Sequence, residues 1–190
     1  MDILYIEGWI GQLGRGLFNN LLITLLSAVV PLCLGVLLTF LASKSRIMET
    51  IFSWLSLPTE CACPILLMLV LHFSVISDVQ RMLPFAFPVP AVVTAILAFT
   101  LCFSFYMPAR FVRGDSFLKN VLVNGLGLIS SMFKWSFCVS FIGISDLVSE
   151  CRMMGNRMYD YRYYVIPFIV CIVIVIWLEV GKRLVKQFMK

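Results

Sequence analysis

Residues 121–144 read VLVNGLGLISSMFKWSFCVSFIGI, a hydrophobic segment of membrane-spanning length whose one charged residue is Lys134. A lysine inside such a segment needs an acidic partner, a water-filled cavity or a route to the membrane interface. The segment is followed by polar residues 145–162, which we interpret as a loop, and then by hydrophobic residues 163–180 with a basic tail. We expect the upstream helices to pack against this unit.

The composition indicates an all-α integral membrane protein. Hydrophobic residues make up 61% of the chain and charged residues 13%, against roughly 45–50% and 25% in soluble domains. With about 20 residues needed per helical span, 190 residues suit about five spans. We predict a single transmembrane domain with spans at 16–43, 51–76, 85–109, 121–144 and 163–180.

The composition and motifs also exclude several kinds of function. No G-x-x-x-x-G-K-[ST] phosphate loop is present, so we expect no ATP hydrolysis by this chain and no bound cofactor. The net charge of +5 is concentrated in the C-terminal tail, where it indicates membrane orientation rather than nucleic-acid binding. Cys61 and Cys63 lack a second ligand pair, and we predict no metal site.

The distribution of lysine and arginine predicts the orientation. Counting the first loop, the third loop and the tail gives nine such residues on one side: Lys44, Arg46, Arg110, Arg113, Lys119, Lys182, Arg183, Lys186 and Lys190. The other side has five, namely Arg15, Arg81, Arg152, Arg157 and Arg162. The positive-inside rule therefore predicts an outer N-terminus and a cytoplasmic C-terminus. The predicted location is the cytoplasmic (inner) membrane, which the chain crosses several times.

Glu60 and Lys134 are the ionisable residues predicted to lie deepest in the spans. Their depths differ by about 6 Å, which a bent lysine side chain can bridge. One hypothesis is an ion pair, or two groups facing one wet cavity. In the alternative, Glu60 is protonated and Lys134 donates to backbone carbonyls.

Polar residues also follow one face of the fourth predicted span. Asn124, Gly127, Ser131, Lys134 and Cys138 recur at three- and four-residue spacing. This stripe predicts a face turned toward the protein interior or a translocation path. On the first span, polar and small residues at helical spacing, including Asn20, Thr24 and Ser27, predict a seam for close helix packing.

From Lys134 onward the chain resembles the permease subunits of polar amino-acid ABC importers, the type I family that includes histidine and glutamine permeases. The matching residues are Lys134, Ser136, Ile142-Gly143, Asp146-Leu147, Tyr163-Tyr164 and the tail from Lys182. Upstream, Thr24-Leu25 with Gly35, Pro64-Ile65-Leu66-Leu67 with His72-Phe73, and Arg113-Gly114 resemble further family segments.

The resemblance implies a type I permease fold and a path for a small polar solute such as an amino acid. It implies as partners a second permease-like subunit or a second copy of the chain, an ATPase and an extracytoplasmic binding protein. The path or buried pair would include Glu60, Lys134, Asn124 and Ser131, and the outer gate Asp146, Glu150, Arg152 and Arg157. A cytoplasmic partner would contact Arg110, Arg113 and Lys119.

One segment departs from the family. The Glu-Ala-Ala coupling loop between spans three and four, which docks on the ATPase, is replaced by the short residues 110–120. Either a partner subunit makes the ATPase contact, or the chain no longer needs one. The alternatives are therefore an accessory or scaffold membrane protein that has lost ATPase coupling, and an ion or proton carrier using Glu60 and Lys134.

Overall fold

The computed structural model describes residues 3–61, 63–76 and 90–189, with side chains from Trp9 onward except those of 57–61. All regular elements in these ranges are helical. The α-helices are α1 (Ile3–Lys44), α2 (Arg46–Cys61), α3 (Pro64–Val70), α4 (Ala91–Phe103), α5 (Tyr106–Ala109), α6 (Phe117–Ser136), α7 (Leu147–Met158) and α8 (Ile166–Phe188). A π-turn, Leu71–Val75, extends α3, and short 3-10 turns, Val139–Ile142 and Tyr161–Val165, flank α7.

The long helix α1 contacts most of the other helices. It packs against α4, α5, α6 and α7, while α6 also packs along α8. Its predicted polar seam is confirmed as a buried packing face, since Asn20, Thr24 and Ser27 are all at most 2% exposed. The opposite face of α1 is exposed and apolar, as expected of a helix surrounded by lipid.

Three helical stretches in the described residues are long and apolar enough to cross a membrane: Trp9–Lys44, Ala91–Ala109 and Tyr161–Phe188. They contain the described parts of the first, third and fifth predicted spans. Residues 85–89 of the third prediction lie outside the described residues. The second predicted span is divided where Pro64 begins a new helix after Cys63, because proline is favoured in a first turn.

The region after residue 136 differs from the prediction in two ways. The fourth predicted span, 121–144, begins earlier and ends earlier than expected, because α6 runs from Phe117 to Ser136 and gives way to a 3-10 turn. The predicted polar loop 145–162 is wrong: most of it forms the helix α7. That helix buries Leu147, Cys151 and Met154, which recur at helical spacing on one side. This apolar side packs against the protein, while the opposite side is polar.

Contacts at the two ends of the bundle show which segments share an end. At one end, the Trp9 ring packs edge-on against Tyr163 at 4.9 Å between centroids. At the other end, Arg113 forms an ion pair with Glu49 at 3.2 Å, and Lys182 and Lys186 line a recess with Asp115. The basic segments assigned to one side from the sequence therefore lie together in space.

Candidate translocation face and polar clusters

The N-terminus of α7 is anchored on α1 by backbone contact and hydrogen bonds. The Asn19 side-chain amide donates to the Ser145 carbonyl at 2.8 Å, and the side-chain Oδ1 of Asn20 accepts from the Leu147 N–H at 3.2 Å. Gly16 lies against the same turn so closely that a Cβ there would sit 2.9 Å from the Leu147 Cα. The polar seam of α1 is predicted by its helical spacing, but its contact with α7 is not.

Asp146 begins α7 as its N-cap. Its Oδ1 accepts from the Ser149 N–H at 2.7 Å, and the Ser149 hydroxyl accepts in turn from the Asp146 N–H at 2.9 Å. The carboxyl group is fully buried, and Oδ2 has no well-formed hydrogen bond within the described residues. Burial raises the pKa of Asp146, although hydrogen bonds from Ser149 and the nearby Ser140 oppose the shift.

The four residues predicted to form an outer gate separate into two pairs. Asp146 and Glu150 are buried on the side of α7 that faces α1, and the Glu150 carboxylate accepts from the Ser145 hydroxyl at 3.0 Å. Arg152 and Arg157 are both exposed. The two carboxylates thus form an acidic cluster inside the protein, and the arginines do not neutralise it by direct ion pairs within the described part of the chain.

Lys134 is exposed at the surface of this chain, on the last turn of α6. The described part of the chain therefore does not enclose its ammonium. Its neighbours Phe133 and Ser136 are buried, so the turn is well packed and directs only the lysine outward. The Lys134 ammonium interacts electrostatically with the Cys171 side chain on α8. The Glu60 side chain lies outside the described residues, and its pairing with Lys134 stays a prediction.

The remaining residues of the predicted stripe tie α6 to the segment after α4. The Asn124 amide donates to the Arg110 carbonyl at 3.0 Å, and the Ser131 hydroxyl donates to the Tyr106 hydroxyl at 3.4 Å. Gly127 is buried between them, where a Cβ would lie 2.9 Å from the Tyr106 hydroxyl. This part of the stripe faces the protein, as predicted, but its polar groups are used in packing.

The connection between α5 and α6 is a short folded hook. Asn120 holds it with two bonds to Val112, accepting from its N–H at 2.9 Å and donating to its carbonyl at 3.0 Å. The three basic residues predicted to contact a partner are all engaged within the chain. Arg110 lies over the Tyr106 ring at 3.8 Å, Arg113 pairs with Glu49, and Lys119 pairs with Asp115 at 2.7 Å.

An open recess of about 510 Å³ lies beside the hook. Arg113 and Glu49 form part of its lining, together with Arg46, Ser53 and Trp54. Trp54 is 70% exposed and Arg113 remains partly exposed. The recess therefore combines an aromatic side chain and partly exposed charged groups, which are typical of an interface with another protein.

The histidine, cysteine and acidic side chains of the described residues are dispersed rather than clustered around a metal position. Within the described ranges, no three histidine, cysteine, aspartate or glutamate side chains are placed to hold a metal ion. His72 is packed rather than free, because its Nδ1 lies 3.3 Å from the buried Thr94 hydroxyl and its ring stacks edge-on with Phe73. His72 lies within the π-turn Leu71–Val75.

Comparison with known proteins identifies the fold. A crystal structure of an amino acid ABC transporter with histidines matches with a TM-score of 0.71 at 17% sequence identity. The match covers 100% of this chain and 98% of the other. No protein-family model matches the sequence, and no curated protein matches it. The chain therefore shares the fold of that transporter chain.

Proposed function

We propose that this chain is a membrane-spanning permease subunit of an ABC-type importer and forms part of a path for a small polar solute such as an amino acid. The observation that carries the proposal is the fold match along the full chain, together with three helices apolar enough to cross a membrane. The chain would form one transmembrane domain of about five spans in the cytoplasmic (inner) membrane, with Arg152 and Arg157 at the outer gate. Any ATP hydrolysis would belong to a partner.

The clustering of basic segments supports the proposed orientation. The first loop, the hook at residues 110–116 and the end of α8 lie at one end of the bundle. The positive-inside rule places that end in the cytoplasm. The end with Trp9 and Tyr163 is then outside, where such aromatic residues occupy the membrane interface.

The exposed ammonium of Lys134 supports a second subunit. Lys134 lies on the last turn of α6, and a lysine within a membrane-spanning segment is costly when it faces lipid. On a water-filled path between two subunits, the Lys134 ammonium would stay hydrated or contact a polar group. We therefore place the path on the face of α6 that carries Lys134, with a second permease-like subunit or a second copy of the chain closing the other side. Glu60, if it approaches this face, would supply the counter-charge.

The recess beside Arg113 is our proposed docking place for an ATPase. It lies at the proposed cytoplasmic end and exposes Trp54 next to the Arg113–Glu49 ion pair. In this arrangement the hook does not have to enter a groove of the ATPase. A part of the ATPase would instead bind in the recess beside Arg113, which accounts for the short connection between α5 and α6.

Purification of the tagged chain from the membranes of its own cells tests the proposal. We expect an ATPase, a second permease subunit or a second copy of the chain, and an extracytoplasmic binding protein that associates when solute is present. Recovery of the ATPase in equal amounts supports transport. Recovery of the chain with membrane partners but no ATPase would contradict the proposal and favour an accessory or scaffold protein instead.

A further inference from the structure

A second recess lies between the first turns of α6 and the last turns of α8. It has a volume of about 200 Å³, and Asp115, Lys119, Asn120, Asn124, Lys182 and Lys186 line it. It is separate from the recess beside Trp54 and Arg113, although both recesses are at the proposed cytoplasmic end. Neither Lys182 nor Lys186 has a role in the proposed path.

The recess has an excess of positive charge. Lys119, Lys182 and Lys186 bring three ammonium groups to the lining, and Asp115 brings one carboxylate. That carboxylate forms an ion pair with Lys119 at 2.7 Å. Lys182 reaches Glu179 only at 3.4 Å and lies against Gly127 of α6. Lys186 has no ion pair among the residues that the structure describes. Because Lys182 and Lys186 are four residues apart on one helix, they repel each other, and an anion between them would relieve that repulsion.

The surface beside the recess indicates which anion. Helix α8 belongs to the stretch Tyr161–Phe188, which is apolar enough to cross a membrane and is little buried within the described part of the chain, and the recess lies at the end of that stretch. A soluble anion would gain nothing from that apolar surface, whereas a phospholipid could lay its acyl chains along it and its phosphate in the recess. Basic recesses between transmembrane helices on the cytoplasmic side are suited to anionic headgroups.

We propose that this recess binds the headgroup phosphate of an anionic phospholipid, with Lys182 and Lys186 as its principal ligands. The lipid bridges α6 and α8, the pair of helices that carries Lys134 and Cys171. Binding depends on the membrane setting of the chain and not on transport. A failure of the lipid experiment is therefore distinct from a failure to find an ATPase.

The test uses the purified full-length chain in detergent, titrated with phosphatidylglycerol or phosphatidylcholine, with bound lipid counted by native mass spectrometry. Lys186→Gln should weaken phosphatidylglycerol binding about fivefold, and the Lys182→Gln/Lys186→Gln double variant about 25-fold. Arg183→Gln is the matched control. It removes one positive charge from an exposed neighbour on the same helix that does not line the recess, and it should change binding less than twofold.

Four results would overturn the proposal. They are absence of bound phosphatidylglycerol, equal affinity for phosphatidylcholine, equal weakening by Lys186→Gln and Arg183→Gln, and displacement of the lipid by glycerol 3-phosphate at equal concentration. The third would show that only general surface charge matters. The fourth would show that the site takes a soluble phosphate rather than a lipid.

Discussion

The side-chain carbonyl of Asn20 accepts a hydrogen bond from the Leu147 backbone N–H at 3.2 Å, across 127 residues of sequence. The bond joins the seam of α1 to the first turn of α7, where the helix has backbone donors without intrahelical partners. Asn20 is fully buried, so its amide cannot exchange this partner for water. The position of α7, and of its two buried carboxylates, depends on this contact.

Replacing Asn20 with alanine should lower the free energy of unfolding by about 1–3 kcal/mol, because it leaves the Leu147 N–H buried without a partner. Thermal unfolding in detergent measures the change. Asn19→Ala is the control, since the bond from Asn19 to Ser145 is at the edge of the protein and water can replace it. Equal losses for the two variants would contradict the assignment.

Replacing Gly16 with alanine should destabilise the protein by about 1–3 kcal/mol, although alanine normally favours a helix. The new Cβ would press on the Leu147 backbone at 2.9 Å, and backbone cannot move aside as a flexible side chain can. Gly14→Ala is the matched control on the same helix, with open space at its Cβ. It should be neutral or stabilising by up to about 1 kcal/mol. A stabilising Gly16→Ala would show that α7 does not pack here.

The stability contributed by Asp146 should depend on pH. Burial raises the pKa of its carboxyl in the folded protein, so the folded state holds the proton more tightly than the unfolded state. Its contribution is then fully present below the unfolded pKa, near 3.8, and is lost as the pH rises through the folded pKa. Asp146→Asn keeps a capping oxygen but does not titrate. The stability of the Asp146 protein relative to this variant should fall as the pH rises.

The comparison for Asp146 is best made in a Glu150→Gln background, which removes the nearest other carboxylate. Burial, and then the charges of Asp146 and Glu150, raise the pKa of the Cys151 thiol to about 11, so this thiol stays neutral throughout the acid range. A stability difference that is constant with pH, or that rises with pH, would contradict the expected direction.

Trp54→Ala should reduce the amount of ATPase recovered with the chain by about tenfold, because an exposed aromatic side chain in a recess is a typical anchor of an interface. The unfolding temperature should not change, since Trp54 is 70% exposed. Trp177→Ala is the control: that residue is 75% exposed on α8, away from the recess. Unchanged recovery for both variants would place the ATPase contact elsewhere.

The seam of α1 was predicted from pattern alone, because it repeats over many turns. The sequence predicted one span over 51–76, and the helix that begins at Pro64 divides it. Helix α7 was missed because its polar residues dominate a short segment. The signal that could have found it is the Asp146–Ser149 cap followed by Leu147, Cys151 and Met154 at helical spacing.

The orientation of Lys134 was also missed, for a geometric reason. Lys134 lies seven residues after Gly127, on nearly the same side of an ideal helix. Gly127 packs against Tyr106, whereas Lys134 lies two turns further along, on the last turn of α6. The stripe therefore begins against α5 and ends at the exposed face. Which subunit covers that face is information that no single chain carries.

Solute uptake by the assembled complex tests the central claim most directly. The complex is reconstituted in proteoliposomes, with the ATPase inside and the binding protein outside, and is offered a panel of radiolabelled polar amino acids. We predict ATP-dependent accumulation of at least one of them, strongly reduced by Lys134→Met and retained by the exposed control Arg183→Gln. Accumulation no greater than in liposomes without this chain, for every solute in the panel, would contradict the account.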